Sequence, residues 1–237
     1  MPGWALPLLL AMGRHRRQLQ AMKREALLAL EPLKRFFSVN SNIFIRTLCL
    51  TFVFAFFTDR SAAESTEVLA VNQMLLQFLF LMSYGIDGFA YAAESLVGRF
   101  TGSREGDKLR QSIRLLMIWG MAVGLGYSLV YGLGGKWMLA QFTPELALQQ
   151  EAWPYLNWLV ALPLLSAAAF MWDGVYIGAT ATRALRNAML IVTFGLFLPA
   201  YLLTSGWGNH GIWFAMSLFM LGRGVFLWIF AKKAIYF

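Results

Sequence analysis

The chain has 237 residues, 59% of them hydrophobic and only 14% charged, with mean hydropathy +0.58 and a formal charge of +8. A soluble domain of this length is about 25% charged, so this chain has too little polar surface to face water all round. It reads as an all-α integral membrane protein built as one bundle. The basic excess does not point to nucleic acid, because the cations sit in short links between apolar runs, where they set topology. The one cysteine, Cys49, excludes an intramolecular disulfide, and the two histidines, His15 and His210, argue against a zinc site.

Residues 1–38 read as a segment apart. Trp4–Met12 is apolar but too short to span a bilayer. Arg14, Arg16 and Arg17 follow it rather than precede it, which is the wrong order for a cleavable signal peptide. Across 14–38, Leu19, Met22, Ala26, Leu30 and Leu33 recur at helical spacing, with Lys23, Arg24 and Glu31 elsewhere. That pattern fits a basic amphipathic helix on the inner membrane face. It equally fits a cytoplasmic linker from an earlier domain, with Trp4–Met12 the stump of a preceding span in a truncated larger protein.

Residues 39–237 read as a six-helix lobe, with spans near 40–58, 68–97, 113–134, 153–178, 187–205 and 210–231, each having the roughly 20 apolar residues a bilayer requires. The second run is long for a straight span and predicts tilt or extension past the membrane. Links rich in cations alternate with links that are poor in them. The segment before the first span carries Arg14 to Arg35, the second link Arg99, Arg104, Lys108 and Arg110, the fourth Arg183 and Arg186, and the tail Lys232 and Lys233. The intervening links hold only Arg60 and Lys136, together with Asp59, Glu64, Glu67, Glu145 and Glu151. The positive-inside rule then places both termini in the cytoplasm of a bacterial inner-membrane protein. Trp137, Trp153, Trp158, Trp207 and Trp213 fall near the outer ends, where indole favours the headgroup layer.

Charges inside the spans are the candidate functional residues, since each costs a few kcal/mol there and usually faces a wet cavity or a protein interior. Asp87 and Glu94 are seven apart, two helical turns, on one face with Ala90, Tyr91 and Gly98. Glu94 lies near the inner end and also fits a solvated interfacial charge. Asp87 is deeper; it also fits a cap for a kink beside Gly85 and Gly88, or an ion pair with Arg46. Asp173 lies ten residues, about 15 Å of helix, before Arg183. A carboxylate at that depth holds its proton nearer neutrality than one in water, as proton-coupled transport requires, or is a structural acid bonded to Tyr or Thr hydroxyls. Asp87-Gly88 and Asp173-Gly174 suggest a weak internal duplication of three helices. Asn40, Asn42, Arg46, Thr47 and Thr51 on the first span, and Asn72, Gln73 and Gln77 on the second, are further polar candidates, with Pro154, Pro163 and Pro199 loosening later spans.

Four stretches carry a family resemblance. Asn40–Leu48 resembles the start of the seventh helix of multidrug and toxic compound extrusion (MATE) transporters, Ala70–Gln77 and Tyr84–Gly98 the eighth, and Asp173–Asn187 the tenth and its exit. The match is to the DNA-damage-inducible protein F subgroup, from about residue 14 to the end. The resemblance implies the second of two six-helix lobes around a central cavity, coupled to inward proton or sodium flow, with no other cofactor. It implies three partners: the bilayer, an amphipathic or cationic substrate, and an N-terminal six-helix lobe upstream of residue 1. By position Asp173 matches the acid of the tenth helix implicated in cation coupling. The acid some relatives carry in the seventh helix has no counterpart in Ile43–Thr58.

Rival readings remain at this level. A lipid-linked glycan flippase needs cationic cavity residues, for which Arg46 and Arg223 are the candidates. An intramembrane aspartyl protease would use Asp87 and Asp173, but the Gly-x-Gly-Asp signature is absent. A lone lobe would be a non-transporting remnant.

Overall fold

The computed structural model describes residues 30–236; the expected stump and the first half of the basic segment lie outside them. The helices are α1 (Leu30–Glu64), α2 (Thr66–Gly102), α3 (Gly106–Phe142), α4 (Leu146–Ala152), α5 (Leu156–Gly178), α6 (Thr182–Leu190), α7 (Leu198–Thr204) and α8 (Asn209–Ala234). Among the described residues there is no strand. Six stretches are long and apolar enough to cross a membrane: Phe36–Glu64, Thr66–Gly102, Gly106–Phe142, Leu146–Gly178, Thr182–Trp207 and Asn209–Ala234. Both α2 and α3 have 37 residues, about 55 Å of helix against about 30 Å of hydrocarbon, so their ends stand in the headgroup layers. The account below concerns Asn42–Phe237, which forms one compact unit.

The links are short because the sequence supplies the stops. Ser65 alone separates α1 from α2; its backbone is extended and its hydroxyl accepts from the Val68 amide at 3.1 Å, a side-chain N-cap. Two helices end in a left-handed residue, Arg104 after α2 (φ 58°) and Thr180 after α5 (φ 54°). In each, the next amide reaches back into the last turn, Glu105 to the Phe100 carbonyl at 3.0 Å and Ala181 to the Tyr176 carbonyl at 2.9 Å.

Helix α5 is the centre of the lobe, and small residues let three helices close on it. Gly174 and Gly178 lie against the α2 backbone at Ala90 and Glu94, so close that a Cβ on either would overlap a carbonyl oxygen. On another side Gly120 and Gly124 of α3 face Met171, Ala167 and Pro163, and Gly224 of α8 faces Ala168. Without a hydrophobic force between helices in lipid, such close backbone approach is the main source of packing energy.

The fifth span is broken. Between α6 and α7, Ile191–Phe197 forms a π-helical turn, and Pro199 follows at the start of α7. Proline cannot donate to the carbonyl four residues back, and the widened turn absorbs the misfit. Gly222 of α8 packs onto this turn at Val192 and Leu196.

At the end of the lobe holding Glu64, a polar network ties α1, α2 and α8. The Asn72 amide donates to Ser61 Oγ and to Asn209 Oδ1, each at 2.7 Å, and its oxygen accepts from Asn209 at 3.0 Å and Trp213 Nε1 at 2.8 Å. Trp213 is therefore not an interfacial anchor, contrary to its expected place with the other tryptophans: it is fully buried and fixed by this network. Trp137 and Trp207 are exposed.

The repeated Asp-Gly pairs occupy unlike places. Gly174 is pressed against α2, whereas nothing lies within 4 Å of a Cβ placed on Gly88. They sit on the second and fourth spans, which a duplication of three helices would not superimpose.

Candidate cation and substrate cavity

A cavity of 330 Å³ opens between α1, α2, α5 and α8. Its apolar wall includes Phe54, Phe80, Phe170 and Met220, and its charged residues are Arg46, Asp87, Glu94, Asp173 and Arg223. The seven-residue spacing of Asp87 and Glu94 puts both on the α2 wall, with Tyr91, 70% exposed, between them.

Asp173 is 5% exposed and holds two arginines on one oxygen. Arg46 of α1 donates to Oδ2, and Arg223 of α8 donates to the same atom at 2.6 Å. Oδ1 accepts nothing, and the Nε of each arginine is buried without a partner. Arg223 is 1% exposed; the Phe170 and Phe219 ring centroids lie 5.5 and 5.6 Å from its guanidinium carbon, and Nη1 touches the Met220 sulfur at 3.3 Å. Two aromatic faces and one carboxylate together replace the water a buried guanidinium loses. The three groups carry a net formal charge of +1. Asp87, half-buried on the α2 wall of the same cavity, makes no hydrogen bond or ion pair among the described residues.

Five of the eight expected site residues meet here: Asp173, Asp87, Glu94, Arg46 and Tyr91. Three do not. Asn42 lies toward the basic end, donating to Thr182 Oγ1 at 3.3 Å and accepting from Arg186 at 2.9 Å. Gln73 donates to Thr58 at 3.1 Å near the opposite end, and Gln77 points outward. The expected alternative of an Arg46–Asp87 pair is not what forms: Arg46 pairs with Asp173. Nor is Asp173 held by Tyr or Thr hydroxyls. Arg223 was a candidate only as a flippase cation. Its position fourteen residues into an apolar helix was the available signal, since a lone intramembrane arginine requires a counter-ion.

The MatE family signature matches residues 43–202. The chain belongs to the MATE family. Among this MATE chain's relatives, DNA damage-inducible protein F of Escherichia coli is 36% identical over 195 residues, covering 82% of this chain and 42% of that protein. Protein DETOXIFICATION 42 of Arabidopsis thaliana is 21% identical, covering 84% of this chain and 41% of that protein. The chain thus spans less than half the length of these curated relatives. In fold, it superimposes on the Vibrio cholerae MATE transporter VcmN in the bent form with a TM-score of 0.80, at 16% identity, covering 97% of this chain and 53% of that one. Against the outward-facing conformation of a multidrug resistance MATE family transporter the TM-score is 0.75, at 18% identity, covering 86% of this chain and 46% of that one.

Proposed function

We propose that this MATE lobe is the second half of a secondary transporter that exports amphipathic organic cations in exchange for protons or sodium ions. The reading rests above all on one observation: a cavity between four spanning helices of a MATE chain carries a carboxylate, Asp87, with no fixed partner among the described residues. A half-buried acid within the membrane exchanges a small cation for a larger one on electrostatic grounds. Glu94 and Tyr91 line the path toward it, and Phe54, Phe80 and Phe170 offer apolar and π contact.

Asp173 plays a different part in this reading. Held by Arg46 and Arg223, it anchors α5 between α1 and α8 and sets the field that Asp87 feels. A coupling ion would have to displace an arginine to reach its occupied oxygen. The same pairing weighs against a lipid-linked glycan flippase, because both cavity arginines are committed to a carboxylate rather than offered to an anionic substrate.

A partner lobe completes the cavity in this proposal. Phe44, Leu48 and Phe52 on α1 and Leu81, Tyr84 and Tyr91 on α2 form exposed stripes at helical spacing. In this reading the chain lies in a bacterial inner membrane with its basic end in the cytoplasm, an orientation that the distribution of arginine and lysine favours.

The test is export of a fluorescent organic cation by the complete transporter carrying Asp87→Asn or Asp173→Asn, measured across pH at constant protein level. Loss of export and of its pH dependence in Asp87→Asn supports the assignment. Unchanged export with an unchanged pH profile in that variant removes Asp87 from the mechanism.

A further inference from the structure

A second groove lies on the other side of α5. Trp172 lines it, whereas Asp173, the next residue, faces the ion-paired cavity. Its volume is 510 Å³, and α3, α5 and α8 form its walls. On α3, Arg110, Arg114, Met117 and Met121 descend one helical stripe, two cations followed by two flexible apolar side chains. The antiparallel helices match that order in depth. Helix α5 has Trp172 nearest the basic end and Leu165 and Leu164 below it; α8 has Trp228 at that end and Leu221 below. Gly224 against Ala168 brings α5 and α8 together as the floor.

No described residue answers the charge at the mouth. Arg110 and Arg114 are exposed and make no ion pair or side-chain hydrogen bond among the described residues, and no carboxylate lines the groove. Arg110 stacks over the Tyr236 ring, 5.8 Å from its centroid, which orients the guanidinium without neutralising it. Both arginines lie in the first turns of a helix about 25 Å longer than the hydrocarbon layer, and so at headgroup level. Indole rings at the same height favour that layer.

We infer that this groove binds an anionic phospholipid, its phosphate at Arg110 and Arg114 and an acyl chain along Met117, Met121 and Leu221. The occupant is a lipid rather than a free anion because the cations continue into a membrane-facing apolar channel that would otherwise be filled by disordered chains. Basic pockets between spanning helices are suited to such headgroups. The inference does not depend on the transport reading or on the cavity at Asp173.

Native mass spectrometry of the full chain, released from nanodiscs of mixed phosphatidylglycerol and phosphatidylcholine, tests it. The expected result is retention of phosphatidylglycerol over phosphatidylcholine by about 25-fold, about fivefold for each arginine. The Arg110→Gln, Arg114→Gln double variant is expected to lose that preference, while Arg183→Gln with Lys233→Gln, which removes equal charge from the same end outside the groove, keeps it. Val225→Trp fills the groove without touching the arginines and is expected to lose the bound lipid at unchanged melting temperature. Equal loss in the control variant, retention by Val225→Trp, or displacement of the lipid by millimolar inorganic phosphate would each overturn the inference.

Discussion

Arg223 donates to Asp173 across 2.6 Å from a pocket closed by the Phe170 and Phe219 rings, so the charge of each is answered inside the lobe rather than by water. Because Arg46 uses the same carboxylate oxygen, Asp173 compensates two cations. Asp173→Asn leaves both guanidinium groups short of a counter-ion and is expected to lower stability by about 3–5 kcal/mol, the usual cost of breaking a buried pair. Arg223→Met leaves Asp173 paired with Arg46 and is expected to cost less. Thermal unfolding in detergent, with the Asp173→Asn, Arg223→Met double variant closing the cycle, measures the coupling; additive effects would show that the two side chains do not interact.

Asp87→Asn is expected to behave oppositely. No partner in the lobe loses a bond, so the melting temperature should hold while cation exchange in the complete transporter loses its pH dependence. A melting temperature that falls as far as that of Asp173→Asn would mean that Asp87 is structural.

The helix contacts at Gly174 make a steric prediction. A Cβ there overlaps the Ala90 carbonyl, and its three nearest neighbours are all Ala90 backbone atoms, so Gly174→Ala must push α2 and α5 apart at a cost of about 1–3 kcal/mol. Gly88→Ala, made in open space on the same α2, is expected to be neutral or stabilising by up to about 1 kcal/mol through helix propensity. Paired thermal-shift measurements of the two variants distinguish packing from propensity.

Asn72 is the shared partner of Ser61, Asn209 and Trp213. Asn72→Ala strands the buried Trp213 N–H and the Asn209 amide, with an expected loss of about 1–3 kcal/mol. Indole fluorescence should report it directly, because Trp213 gains freedom and water.

The sequence by itself determined the membrane class, the six spans, the family and which acids lie within the spans. Each of these follows from one-dimensional properties: an apolar run long enough to cross the bilayer, cations gathered in alternate links, and Asp87 and Glu94 two turns apart on one face. Even the break near Pro199 is a local signal. What the tertiary structure alone decided is how the charges are partnered. Arg46, Asp173 and Arg223 come from three helices separated by 127 and 50 residues, and no spacing rule brings them to one oxygen. Periodicity fixes the face on which a charge sits but not the rotation of that helix against its neighbours. That rotation is set by where glycines allow backbones to touch: Gly174 and Gly178 on α2, and Gly224 on α5. The same packing buried Trp213, and it left Asp87 and Glu94 lining a cavity with no cation in contact among the described residues.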